Sequence, residues 1–141
     1  MGMKAALALQ AAVYAALRES DMLAQLVGDA IFDAAPVTPP AGVHVALGAE
    51  DVRDAGDMTG DGSVHDLDVS VISGAGDGGF AGVKAAAAAV CEALEAADLA
   101  PEPGGLVGLW FLRSRARRIE NGARRRVDLT FRARIDLGMR S

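Results

Sequence analysis

Residues 56–68 read GDMTGDGSVHDLD, and their oxygen-bearing side chains fall at the spacing of a calcium loop. Such a loop wants side-chain oxygens at positions 1, 3 and 5, glycine at 6 for a sharp bend, a backbone carbonyl at 7 and an acidic group at 12. Asp57, Thr59, Asp61, Gly62, Ser63 and Asp68 fill those places. The local pattern argues against a closed ring of ligands. Residues 64–73 alternate like a strand, with Asp68 between Leu67 and Val69, and an extended chain would carry Asp68 roughly 20 Å from Asp61. Gly, Asp and Thr are also the residues of an exposed strand connection. The sequence therefore assigns no metal. Asp57, Thr59, Asp61 and Asp68 are the ligands that a calcium-dependent binding module, the alternative class, would use.

Other reactive side chains are few. The single cysteine, Cys91, lies among alanines on a helical pattern, as a small buried hydrophobe would, and has no partner for an internal disulfide. His44 alternates onto the outward face of its strand and reads as a surface histidine, and His65 is the only other imidazole. GAGDGG, residues 74–79, precedes a helix but lacks the Lys and Ser/Thr of a phosphate loop and the spacing of a dinucleotide fingerprint, so it reads as a flexible connection. With no nucleophile elbow and no zinc spacing, the chain reads as a non-enzyme without a cofactor.

The arginines are a stronger signal. Residues 1–100 hold 4 basic and 15 acidic residues, net −11, whereas residues 101–141 hold 10 basic and 4 acidic residues, net +6, which together give the −5 of the whole chain. Asymmetry of this kind suits a charged partner or another copy of the same chain. Arg124, Arg126, Arg132 and Arg134 line one face of a strand, and guanidinium forks suit phosphate. Asp128 and Asp136 interrupt that face, and the aromatic platforms of single-strand binders are missing from it. A face that tolerates passing DNA, or that meets the acidic part of a neighbour, fits better than sequence-specific binding. A solvated strand face is the plain alternative.

These residues need elements to hold them. At 141 residues and 51% apolar, the chain suffices for one domain, 1–141, with a core of its own. Leu7, Val13, Tyr14 and Leu17 recur at helical spacing, interrupted by too many polar groups to span a bilayer, and the reading is cytoplasmic and soluble. Pro36, Pro39 and Pro40 make residues 34–42 an extended arm. Residues 43–52 alternate with Val43, Val45, Leu47 and Ala49 on one face and His44, Ala46, Gly48 and Glu50 on the other. A flexible connection near 55–63 leads to the second strand. The Ala-rich run after Phe80 has high helix propensity, with Val83, Val90 and Leu94 near one side. Two last strands, with Val107, Leu109 and Phe111 opposite Trp110 and Leu112 in the first and Val127 to Leu137 alternating in the second, are joined at Asn121–Gly122, a strong hairpin signal. The order helix, strand, strand, helix, strand, strand gives an α+β two-layer sandwich: a four-stranded, mostly antiparallel sheet with two main helices on one face.

Together, ALALQAAVYAALRESDMLAQLVGDAIFDAAP, VHVALGAEDVRD, HDLDVSVIS leading through a Gly-rich turn to an Ala-rich helix, and the final VDLTFRARI resemble the tail terminator (tail completion) proteins of long-tailed bacteriophages and gene transfer agents. The resemblance runs over nearly the whole chain and rests on element order, without a catalytic motif. It implies a structural protein that forms a hexameric ring on the head-proximal end of the tail tube, stops tube polymerisation and receives the head connector. The implied partners are further copies of the chain, the tube protein, the connector and DNA passing non-specifically through the lumen, with assembly in the cytoplasm and no membrane. Another head-tail connector is the nearest rival. The resemblance assigns no interface residue, so Arg124, Arg126, Arg132 and Arg134 are candidates for the subunit interface or the lumen on their chemistry alone.

Overall fold

A computed structural model of the chain describes residues 2–56, 60–74, 79–97, 99 and 105–139. Helix α1 (Gly2–Arg18) is followed by α2 (Asp21–Val27), whose first turn is capped by the Ser20 hydroxyl accepting from the Leu23 N–H at 3.2 Å. Arg18, in the last turn of α1, donates to the carbonyl of Asp29 at 3.0 Å and so fixes the exit toward the sheet. Then come β1 (Ile31–Phe32), β2 (His44–Asp54), β3 (Gly60–Ile72), α3 (Ala81–Ala96), β4 (Gly105–Ile119) and β5 (Arg124–Met139). No described helix is long and apolar enough to cross a membrane.

The α+β class is as expected, but the sheet has five strands, in the order β1-β2-β3-β5-β4, where four were expected. The extra strand is Ile31–Phe32, which pairs parallel with Val45 and Ala46. Two residues are too short for alternation to reveal, and the neighbouring prolines mask them as loop. Every other pairing is antiparallel. The residues between β1 and β2, where the Pro-rich arm was expected, carry no helix or strand.

One face of the sheet is apolar. Val45, Leu47, Leu67, Val69, Val71, Val127, Leu129, Phe131, Ala133 and Ile135 pack under α1 and α3. The helices answer at a spacing of three or four residues, Ala5, Leu9, Val13 and Leu17 from α1 and Val83, Ala86, Val90 and Leu94 from α3. Leu7, expected on the inner side of α1, is 72% exposed, because Ala5 and Leu9 set the buried stripe. The last two strands do join at Asn121–Gly122, but through a four-residue connection, Glu120 to Ala123, in which Glu120, Asn121 and Gly122 all take left-handed backbone (φ 53°, 55° and 87°).

Among the described residues the sheet has four register slips, one of them between Asp61 and Gly62 in the β3–β5 pair, and the other three decide which face Glu50, Trp110 and the β4 arginines take. Between Leu47 and Glu50 the β2–β3 register slips by one residue, moving Glu50 onto the helix-covered face beside Leu67. In β4 the register slips between Leu106 and Gly108 and again between Phe111 and Arg113. Without the second slip, Arg113, Arg115 and Arg117 would follow Leu109 and Phe111 toward the helices. The extra residue, Leu112, turns them to the outer face.

Candidate assembly surface

The four expected arginines do share the outer face, but each is occupied within the chain. Arg132 binds the Asp66 carboxylate through two parallel hydrogen bonds, 2.7 Å and 2.9 Å. Arg126 donates to Asp128 at 2.9 Å and to the Ser70 hydroxyl at 3.0 Å, while Ser70 donates to the same Asp128 oxygen at 2.6 Å. Arg124 pairs with Glu120 at 2.6 Å and donates to the Ser73 carbonyl, and Arg134 donates to the carbonyl of Ala55 at 3.1 Å. The hydrogen bonds from Arg132 hold the Asp66 carboxyl below its ordinary range. Burial pushes Asp128 the other way, but hydrogen bonds from Ser70 and Arg126 outweigh it and leave that carboxyl low as well.

Arg113, Arg115 and Arg117, which alternation alone would have turned inward, complete this face. With Arg126 they line a concavity of about 310 Å³ whose other walls include Asp68, Ser70, Asp128 and Thr130. Arg117 reaches Asp128 at 3.5 Å, whereas Arg115 makes no ion pair among the described residues. The face is also not free of aromatics. Trp110 sits opposite Arg132 in the ladder, because the first slip in β4 restores it to that side, and its indole lies over Gly108. A Cβ at Gly108 would stand 2.9 Å from the ring, so glycine is needed for the indole to lie flat along the strand.

Both sheet edges are open in part. Among the described residues, strand β4 forms one edge over its whole length, and from Gly48 to Arg53 the second strand has no neighbour on its far side.

The calcium-like stretch is divided by the fold. Asp57 and Thr59 lie outside the described residues, but β3 already begins at Gly60, so Asp61 and Gly62 are in the ladder with β5 rather than at a loop apex. Gly62 is used for close approach: a Cβ there would stand 3.2 Å from the Ile135 carbonyl. Asp68 accepts a hydrogen bond from Thr130 at 2.7 Å, and no group of three or more metal-ligating side chains occurs among the described residues. Of the glycine run, residues 75–78 likewise lie outside the described residues.

The histidines differ from their surface reading. His44 does point outward but is only 3% exposed, covered by the edge of the Phe32 ring at 5.9 Å. Burial, then the nearby Arg124 and Arg126 charges, lower its pKa, with a partial offset from the Gly42 backbone. His65 is fully buried on the inner face, its Nδ1 3.0 Å from Glu50 Oε2 and its Nε2 2.7 Å from the Ser63 hydroxyl. With a neutral imidazole and a carboxylate that only accepts, Nδ1–H faces Glu50 and Nε2 accepts from Ser63. The order of groups is that of a nucleophile, a base and an orienting acid. Ser63 is 1% exposed, however, and the trio satisfies polar groups inside the core instead of meeting a substrate. Cys91 is half-buried, and burial followed by Glu95 raises its pKa, which suits an unreactive thiol.

Residues 11–136 match the family of Tail completion protein gp17. The chain belongs to that family. A chain in the solved virion of a native gene transfer agent particle is 58% identical, with a TM-score of 0.85, covering 94% of this chain and 97% of that one. No curated protein matches. The tail completion family and the virion neighbour make this chain a structural component of a phage-like tail. For a tail completion protein, the features that matter are surfaces. Those that alternation missed, the outward turn of Arg113–Arg117 and the two open edges, become visible only once the strands are in register.

Proposed function

We propose that the chain forms a hexameric ring that caps the head-proximal end of a tail tube, stops tube polymerisation and joins the tail to the head connector. The observation that carries this is the likeness along nearly the whole chain to a virion component, with a family match over residues 11–136. Two features support a ring. The sheet ends in two unlike open edges, which suits heterologous contacts that close by rotation, and the net charges of the two chain regions are opposite. The arginine face suits a lumen through which DNA passes without sequence recognition, since guanidinium groups tethered to carboxylates present charge without fixed base contacts. The role is structural and needs no catalytic group, with the tube protein on one side, the connector on the other and assembly in the cytoplasm.

Depletion of the chain in particle-producing cells tests this directly by electron microscopy. Overlong tubes and unjoined heads are expected. Tubes of normal length joined to heads would reject the capping role, and normal tubes without heads would point instead to a connector.

A further inference from the structure

Strand β4 carries its apolar side chains where an isolated sheet edge should not. Trp110, Phe111 and Leu112 are 48%, 46% and 40% exposed, on a long edge strand whose backbone groups are open to another chain. Trp110 lies on the outer face, while Phe111 lies on the inner face against Phe131, ring centroids 5.9 Å apart. Apolar groups on both faces of one edge are what a strand shows when a sheet continues past it, because an added strand then shelters both sides.

The opposite edge fits it. Tracing the ladder across the sheet places Asp51, Asp66, Arg132 and Trp110 in one row, and Glu50, Leu67, Phe131 and Phe111 in the next. The open part of β2, from Gly48 onward, is therefore level with the apolar patch on β4. It begins with Gly48 and Ala49, both exposed and too small to obstruct an approaching side chain. In another row, Phe32 and Ala46 align with Ser70, Asp128 and Arg115. The arginine half of β4 is thus level with β1, whose two ends are followed and preceded by the exposed Asp33 and Asp29. Strand direction also agrees. A copy that continues the sheet with its helices on the same side keeps its strand directions, and β4 runs opposite to β2, so the new pair would be antiparallel.

We propose that a second copy of this chain docks by adding the open segment of its β2, residues 48–53, to β4, with Trp110 and Phe111 level with Asp51 and Glu50, Leu112 level with the small Gly48 and Ala49, and Arg113, Arg115 and Arg117 set against Asp29 and Asp33. The proposal rests on the ring reading above and specifies its contact. Repeated head to tail, it joins unlike edges and leaves the helical layer on one side of a continuous sheet.

Trp110 is the sole tryptophan, so its emission reports this contact without a label. Native mass and tryptophan emission would be followed together as the wild-type chain is concentrated, and neighbours in intact particles would be cross-linked. Assembly accompanied by a blue shift is expected. Arg115→Glu with Arg117→Glu, and separately Asp29→Arg with Asp33→Arg, should each raise the half-assembly concentration at least tenfold, and the four changes combined should recover most of that loss. Circular dichroism confirms that each variant is folded. Assembly with an unshifted Trp110, or charge reversals that neither weaken nor rescue one another, would overturn this interface while leaving the ring intact. A chain that is monomeric in solution and forms no cross-linked multimers in particles would overturn the ring reading as well.

Discussion

Arg132 and Asp66 are direct partners across the β3–β5 ladder, and the guanidinium holds both carboxylate oxygens at 2.7 and 2.9 Å. Replacing Arg132 with Ala should let Asp66 titrate at higher pH, measured by carboxyl chemical shift. The sign follows from linkage. A carboxyl held low in the folded state contributes stability that is present above its unfolded value, about 3.9, and is lost as pH falls through the folded value. The melting difference between wild type and Arg132→Ala should therefore be full at pH 7, shrink below about pH 4, and narrow in high salt because the pair is partly exposed.

His44 gives a second pH dependence in a different window. Its folded pKa is depressed, so the unfolded chain takes up the proton first as pH falls below about 6.5, and stability declines from there until the folded value is reached. His44→Asn should flatten the melting temperature between pH 7 and 5. An unchanged slope would mean that Arg124 and Phe32 do not keep the ring neutral.

Ser63→Ala should cost about 1–3 kcal/mol in denaturant unfolding, because it leaves His65 Nε2 without its partner in a site that water does not reach. Ser63→Thr, which keeps the hydroxyl, should recover part of that. A neutral Ser63→Ala would show that the imidazole finds another donor.

Gly108→Val introduces a Cβ where the Trp110 indole now lies. Because the ring is half exposed it can swing aside, so the stability change should stay under about 1 kcal/mol while the emission of the monomer changes. Unchanged emission would place the indole elsewhere.

What could be read from the chain follows from how local each signal is. The hairpin at Asn121–Gly122 and the alternation of Val127, Leu129, Phe131, Ala133 and Ile135 depend only on neighbours in sequence, and they form as read. The strand at Ile31–Phe32 exists only because Val45 and Ala46 lie beside it, so no period of its own could announce it. Side-chain parity beyond a bulge is non-local in the same way. Residues 43–52 read as one unbroken alternation with Glu50 outward, and only pairing with β3 shows that Glu50 turns inward to His65. The outer arginines were partly legible: residues 124–134 sat in a regular strand, whereas Arg113, Arg115 and Arg117 lay past a slip.

The extra residue at Leu112 also bears on how such a chain can diverge. Deleting Leu112 alone would remove the bulge and let Arg113 follow Phe111 in plain alternation, so everything downstream in β4 would keep its side. Deleting Leu112 together with Arg113 would exchange the sides, sending Arg115 and Arg117 toward α3 and Ser114 and Ala116 outward. At this bulge the loss of one residue only regularises the strand, and the loss of two rewrites its surface.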